Sequence, residues 1–128
     1  MNILIIGNGA REHAFAEQIT KSTSNRLRDS KPDVGIFSLN ANYGLSALSK
    51  STNIDISDFI SIKEIILNKS IDMVLVGPEI PLINGITDFI NNDPDLKHIN
   101  VIGPSKHGSL LEGSKEFAKD FMNKYAIP

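Results

Sequence analysis

Cysteine is absent from this 128-residue chain. Without thiols there is no disulfide frame, no thiolate nucleophile and no zinc–cysteine site. A large net charge is also missing: 13 Lys and Arg stand against 15 Asp and Glu, a formal charge of -2. That balance argues against a broad nucleic-acid or anionic-membrane surface, which needs a basic excess. No apolar run is long enough to span a bilayer. The N-terminus opens directly on a strand pattern, without the basic and apolar regions of a signal peptide. No spacing of His, Asp and Glu suggests a metal site, and no serine–histidine triad is indicated locally. No internal repeat or low-complexity segment stands out. The expectation is a soluble cytoplasmic protein with no nucleic-acid and no membrane partner.

What is present is the composition of an ordinary globular domain, 41% hydrophobic and 22% charged. Length suffices for one domain with a real core. Asn2 to Ile6 is a short β-branched run ending in Gly7, a buried-strand signal. Ala10 to Thr20 reads as an amphipathic helix, and residues 21–33 as a polar surface connection. "VGIFSL" (34–39) is a second strand, followed by a loop of small and turn-forming residues. "TNIDI" (52–56) is a weak third strand. Ser57 is placed to cap the helix "DFISIKEIILNK", with Asp58 against its dipole. "IDMVLV" (71–76) is the strongest strand signal, ending in "GPEIPL". One helix is expected from about Pro81 through "INGITDFINN", then a fifth strand in "HINVIG" (98–103). Ser105 caps a short helix that Gly113 breaks, and Ser114 starts another. Alternating strands and helices predict an α/β fold: a Rossmann-like parallel sheet of about five strands with helices on both faces. Ligands in such sheets bind at the carboxyl ends of the strands. The candidate loops there are Gly7 to His13, the one containing Asn42 to Gly44, and Gly77 to Leu82.

The turn "IGNGAREHAF" (6–15) starts like a dinucleotide fingerprint, with Gly7 and Gly9 in place. Its third glycine position holds Glu12, and the second strand ends near Asn40 with no acidic residue for a ribose diol. A nicotinamide dinucleotide is disfavoured on both counts. Glycines at a helix start still make an anion cradle, because the first N–H groups are unpaired. Arg11 suits a bidentate phosphate grip, or is a solvated arginine. Glu12 is favoured by the helix dipole whether or not it binds anything. His13 taken alone is more often structural than catalytic. Glu79, held stiffly between Pro78 and Pro81, suits a ribose diol or an amine, or is a helix-start glutamate. His98 and His107 read as ordinary surface histidines.

Three segments then match a known pattern in order: "MNILIIGNGAREHAFAEQI", "IDMVLVGPEIPLINGI" and "VIGPSKHGSLLEGSKEFAKDFMNKYAIP". Together they resemble the start of the phosphoribosylamine–glycine ligase family, also called glycinamide ribonucleotide synthetases. The likeness runs from end to end and is weakest across residues 21–70. It implies a pre-ATP-grasp domain over 1–103, with 104–128 as linker helices toward an ATP-grasp region. It implies an ATP-dependent ligase joining glycine to 5-phosphoribosylamine in purine biosynthesis. Its partners are those two small molecules and the remainder of its own polypeptide. The GNG-x-REH match implies that Gly7, Asn8, Gly9, Arg11, Glu12 and His13 line the phosphoribosylamine side. The GPE match implies that Glu79, after Pro78, helps to hold the sugar. The GSK match implies that Lys115 reaches ATP phosphates. ATP and magnesium, or manganese in its place, are implied for the full-length enzyme, with none bound by these residues alone. No catalytic residue is assigned within the chain, and no turnover is expected from it alone. Two departures stand out. Ala10 replaces a second glycine, and Asn42 and Gly44 keep an N-x-G pattern without the preceding Pro-Gly. An NAD(P)-binding oxidoreductase domain and a non-enzymatic nucleotide-sugar module are the competing readings.

Overall fold

The run NILII forms strand β1 (Asn2–Ile6), in which Ile3 to Ile6 are all buried. A strand apolar on both faces needs cover on both. Ile3 and Ile5 meet Ala16, Phe15 and Ile19 of helix α1 (Ala10–Asn25) on one side. Leu4 and Ile6 point the other way, toward Ile62 and Ile66 of α3 (Phe59–Asn68) and Ile86 and Ile90 of α5 (Ile86–Asn92). Period-two alternation along one strand therefore divides the core into two layers.

The computed structural model describes residues 1–25 and 34–128. Five parallel strands form the sheet, in the order β3-β2-β1-β4-β5. They are β2 (Gly35–Leu39), β3 (Lys50–Thr52), β4 (Met73–Val76) and β5 (Asn100–Ile102) around β1. Register keeps the layers apart. Leu4 stands beside Phe37 and Val74, and Ile6 beside Leu39 and Val76, all in one core cluster. The chain builds outward from β1 to β3, then returns to β4 on the other side of β1. The switch point thus falls at the ends of β1 and β4, where such folds place their ligands.

Several local expectations shift. Helix α1 continues past Thr20 to Asn25. The Lys21–Glu17 pair at 2.9 Å supports its last turns, and the Thr20 and Thr23 hydroxyls bond back to the Ala16 and Ile19 carbonyls. The rest of the expected polar connection, 26–33, lies outside the described residues. The third strand is Lys50–Thr52, not 52–56. Asn40 explains why: it adopts a left-handed φ of 54°, and its side chain brackets Ile54, donating to the carbonyl at 2.6 Å and accepting from the N–H at 2.9 Å. The Ile54 backbone is bonded to a side chain, so it is withdrawn from the strand ladder.

Asp58, not Ser57, caps α3, accepting from the Ser61 N–H at 3.1 Å; Ser57 donates instead to Asp55. Both aspartates are held below the usual carboxylate range, Asp58 chiefly by the Ser61 hydroxyl and Asp55 chiefly by the Ser57 hydroxyl. The single helix expected from Pro81 is two. Helix α4 (Glu79–Asn84) starts earlier, and Gly85, at φ 95°, turns the chain into α5. Only glycine holds that region without penalty. Pro81 is tolerated because first-turn N–H groups have no intrahelical acceptor. Ser105 and Ser114 cap α6 (Lys106–Gly113) and α7 (Lys115–Lys124) as expected. Helix α6 packs on α4, and its first N–H donates to Asp88 of α5 at 2.6 Å.

Lys63 of α3 ties that helix to the turn after α5, reaching Asp93 at 2.7 Å and Asp95 at 2.8 Å. Hydrogen bonding from Lys63 holds the Asp93 carboxyl below its ordinary range, and the Asp93 carboxylate raises Lys63. A depressed carboxylate stabilises the fold above its unfolded value, about 3.9, and loses that contribution as pH falls through the folded one. Lys63→Met should therefore lower the melting temperature at pH 7. That deficit should shrink as pH drops below about 4, measured by thermal denaturation of both proteins from pH 7 to pH 2.5.

Candidate functional site

At the end of β1 the chain turns at Gly7 with φ 123°, a conformation that side chains disfavour. Gly9 follows in the position before α1, its carbonyl accepting from the His13 N–H at 3.2 Å. Glu12, three residues on, folds back so that its Oε2 accepts from the Gly9 N–H at 2.6 Å. This is half of a capping box, built on glycine. Helix starts favour such an anion, through both the unpaired donors and the dipole. Here the chain supplies the anion itself.

Glu12 is 3% exposed. Burying a carboxylate is costly unless it is hydrogen-bonded and paired. Gly9 provides one bond, and the Arg11 Nε, at 3.3 Å from Oε1, provides the charge partner. Space comes from three glycines on two loops. A methyl at Gly9 would stand 2.7 Å from Oε2, and one at Gly7 would stand 2.9 Å from the Glu12 Cγ and 2.8 Å from the Pro78 Cδ. A methyl at Gly77, after β4, would run directly into Oε1. Glu12 is thus the piece around which the β1 and β4 loops fit.

The remaining candidates assemble at the rim. The Arg11 guanidinium lies 3.9 Å from the Glu79 carboxylate, an exposed pair across the β1 and β4 loops. Pro78 sets the entry to α4, and Glu79 is its first residue. From the β2 side, Asn42 caps the short helix α2 (Tyr43–Ser46) and donates to the Asn8 carbonyl at 2.7 Å and the Gly9 carbonyl at 3.3 Å. Gly44 lies flush against His13, leaving no room for a Cβ. Next to His13, the Lys21 ammonium holds the Glu17 carboxyl below its ordinary value by a hydrogen bond, and His13, 3.9 Å away, acts in the same direction.

All three strand-end loops therefore converge. Asn8, Gly9, Arg11, His13, Asn42, Gly44, Pro78 and Glu79 lie together at the strand ends, while Gly7 and Glu12 are buried beneath them, so Glu12 does not line the surface as the resemblance implied. Lys115 does not belong to the same cluster of contacts: it is exposed at the start of α7, which packs on α6. Two roles that matter were not read from the sequence. Gly77 makes the room for Glu12, and a third glycine at the end of a strand pattern was the available signal. Asn40 organises the β2 loop, and its signal was an Asn at a strand end. The site offers a guanidinium, an exposed carboxylate, amide groups and the first-turn N–H groups of α1 on a hydrogen-bonded base. Among the described residues, no group of three or more His, Cys, Asp or Glu could hold a metal ion, and no helix is long and apolar enough to cross a membrane.

Comparison with known proteins matches residues 1–112 to the family described as phosphoribosylglycinamide synthetase, N domain. The chain is 37% identical over its whole length to a phosphoribosylamine–glycine ligase of Caldanaerobacter subterraneus, covering 28% of that protein. It is 38% identical to the Mesorhizobium japonicum enzyme of the same name, covering 27% of it. A bifunctional purine biosynthetic protein of Pichia angusta is 36% identical over 132 aligned positions, 15% of its length. The chain thus spans little more than a quarter of the two ligases.

The fit around Glu12 is testable. Gly77→Ala should destabilise by ~1–3 kcal/mol, the usual cost of overpacking. In a Glu12→Ala background the same substitution should cost much less, because the clashing carboxylate is gone. Urea denaturation of the four proteins measures the coupling; additive losses would show that Gly77 and Glu12 are independent.

Proposed function

Because the chain belongs to the family of the phosphoribosylglycinamide synthetase N domain, we propose that its strand-end surface receives 5-phosphoribosylamine, for ligation to glycine in purine biosynthesis. The observation that carries this reading is the meeting of Arg11 and Glu79 over the glycine turn of β1, at 3.9 Å. A small phosphosugar bearing hydroxyls and an amine needs both signs of partner within a short span. Arg11 offers a planar, permanently charged fork for phosphate. Glu79 offers two acceptor oxygens for the sugar hydroxyls or the amine. Gly7 and Gly9 let the backbone come close, with Pro78 fixing the approach of Glu79. Asn8, His13, Asn42 and Gly44 border the same surface. Glu12, buried and bonded to Gly9 and Arg11, holds the turn and orients the guanidinium.

In this reading residues 1–103 are the substrate-binding domain, and 104–128 lead toward nucleotide-binding sequence of the kind that the longer relatives have room for. Glycine and the remainder of such a polypeptide are the other partners. The nicotinamide alternative has less support. Glu12 fills the position of the third fingerprint glycine, and Asn40 is committed to the Ile54 backbone. ATP and magnesium do not fit the described residues by themselves. No group of three or more metal-ligating side chains is present among them, and Lys115 is exposed at the start of α7.

Ribose 5-phosphate should bind this chain in isothermal titration. Glu79→Gln should weaken that binding about tenfold, as for loss of a charged hydrogen-bond acceptor, with the melting temperature unchanged because Glu79 is exposed. Absence of any binding to the wild-type chain would end the reading. With ATP, magnesium, glycine and phosphoribosylamine, the chain alone should release no ADP; robust release would show that the nucleotide site lies within these residues.

A further inference from the structure

Tyr43 is 94% exposed, the most exposed large hydrophobic side chain among the described residues. A tyrosine ring standing in water gains nothing from burial, and Tyr usually finds cover for its ring or a partner for its hydroxyl. Its mounting is nevertheless rigid. On one side Asn42 is bonded to the Asn8 and Gly9 carbonyls and caps α2. On the other, Gly44 is pressed against His13. The Tyr43 carbonyl accepts from the Ser46 hydroxyl at 2.9 Å and from the Ala47 N–H at 3.3 Å. The backbone is thus fixed to the glycine turn while the ring is left free.

The second most exposed large hydrophobic residue is Ile80, at 64%, next to Glu79 on the β4 loop. Strands β2 and β4 flank β1, so the loops that carry these two residues lie on opposite sides of the glycine turn. An aromatic on a fixed backbone carries contact area at low conformational cost, with two side-chain torsions to fix.

We propose that Tyr43 is a substrate-contacting residue whose ring closes over the sugar face of a pentose phosphate seated on the Arg11–Glu79 surface. The proposal rests on the phosphosugar reading above and adds a specificity element on the β2 loop. The ring, not the hydroxyl, supplies the contact, so phenylalanine should replace tyrosine.

The chain has two tyrosines, Tyr43 and Tyr125, and no tryptophan, so Tyr125→Phe leaves Tyr43 as the sole strong fluorophore. Ribose 5-phosphate added to Tyr125→Phe should change the tyrosine emission, saturating with the affinity measured by isothermal titration. Tyr43→Ala should weaken that affinity about five- to tenfold, the range of a modest aromatic contact. Tyr43→Phe should bind like the wild type, and all three variants should keep the wild-type melting temperature. Binding of ribose 5-phosphate with unchanged Tyr43 emission, and with Tyr43→Ala equal to wild type, would overturn the proposal and leave the phosphosugar reading standing. No binding to any of the proteins would overturn both. Loss in Tyr43→Phe equal to that in Tyr43→Ala would refute the ring contact.

Discussion

The carboxylate of Glu12 is the constraint on which the strand-end surface depends. It is buried where two loops meet, and it is stable there because Gly9 and Arg11 satisfy it. Gly7, Gly9 and Gly77 make that possible by having no Cβ. In a dinucleotide fold, a glycine at the position of Glu12 lets helix and strand pack closely. Here the room is opened from the facing loop, at Gly77, and an acidic side chain fills it. The glycine requirement is therefore shared by the loops after two strands.

This arrangement also divides the labour of the charges. The helix start that would otherwise attract a free anion is partly satisfied by Glu12, through the Gly9 N–H. Attraction for an anionic ligand then falls mainly to Arg11, which is drawn toward Glu12 through Nε and toward Glu79 through its outer nitrogen. An exposed ion pair such as Arg11–Glu79 contributes little to stability. Its two members come from different strand-end loops, so the pair joins the β1 and β4 sides of the surface. On the β2 side, Asn42 does the work of a latch, because the glycine turn offers it two carbonyls.

Much of the architecture was legible in the sequence because periodicity reports burial directly. The runs NILII and IDMVLV read as strands, and the structure shows that alternation along β1 feeds two core layers. The serines before α6 and α7 read as caps, since a hydroxyl at that place has a single strong use. The failures were local competitions. Asp58 outcompeted Ser57 for a helix end, and the Asn40 side chain took the Ile54 backbone from a strand. Gly85 split one apolar pattern into two helices by adopting a left-handed turn that periodicity cannot register.

The sequence by itself determined the α/β class, the strand-end loops and the family motifs, because those depend on residue type and spacing along the chain. The tertiary structure decided which loops touch, and therefore what each polar residue does. Glu12 could have been a ligand group on the turn; the approach of Gly77 makes it an interior strut. Gly44 could have been an ordinary turn residue; the proximity of His13 makes it a packing requirement. Such roles depend on distances between strands that are neighbours in the sheet and far apart in the chain. Sequence spacing carries no information about those distances until the sheet order is fixed.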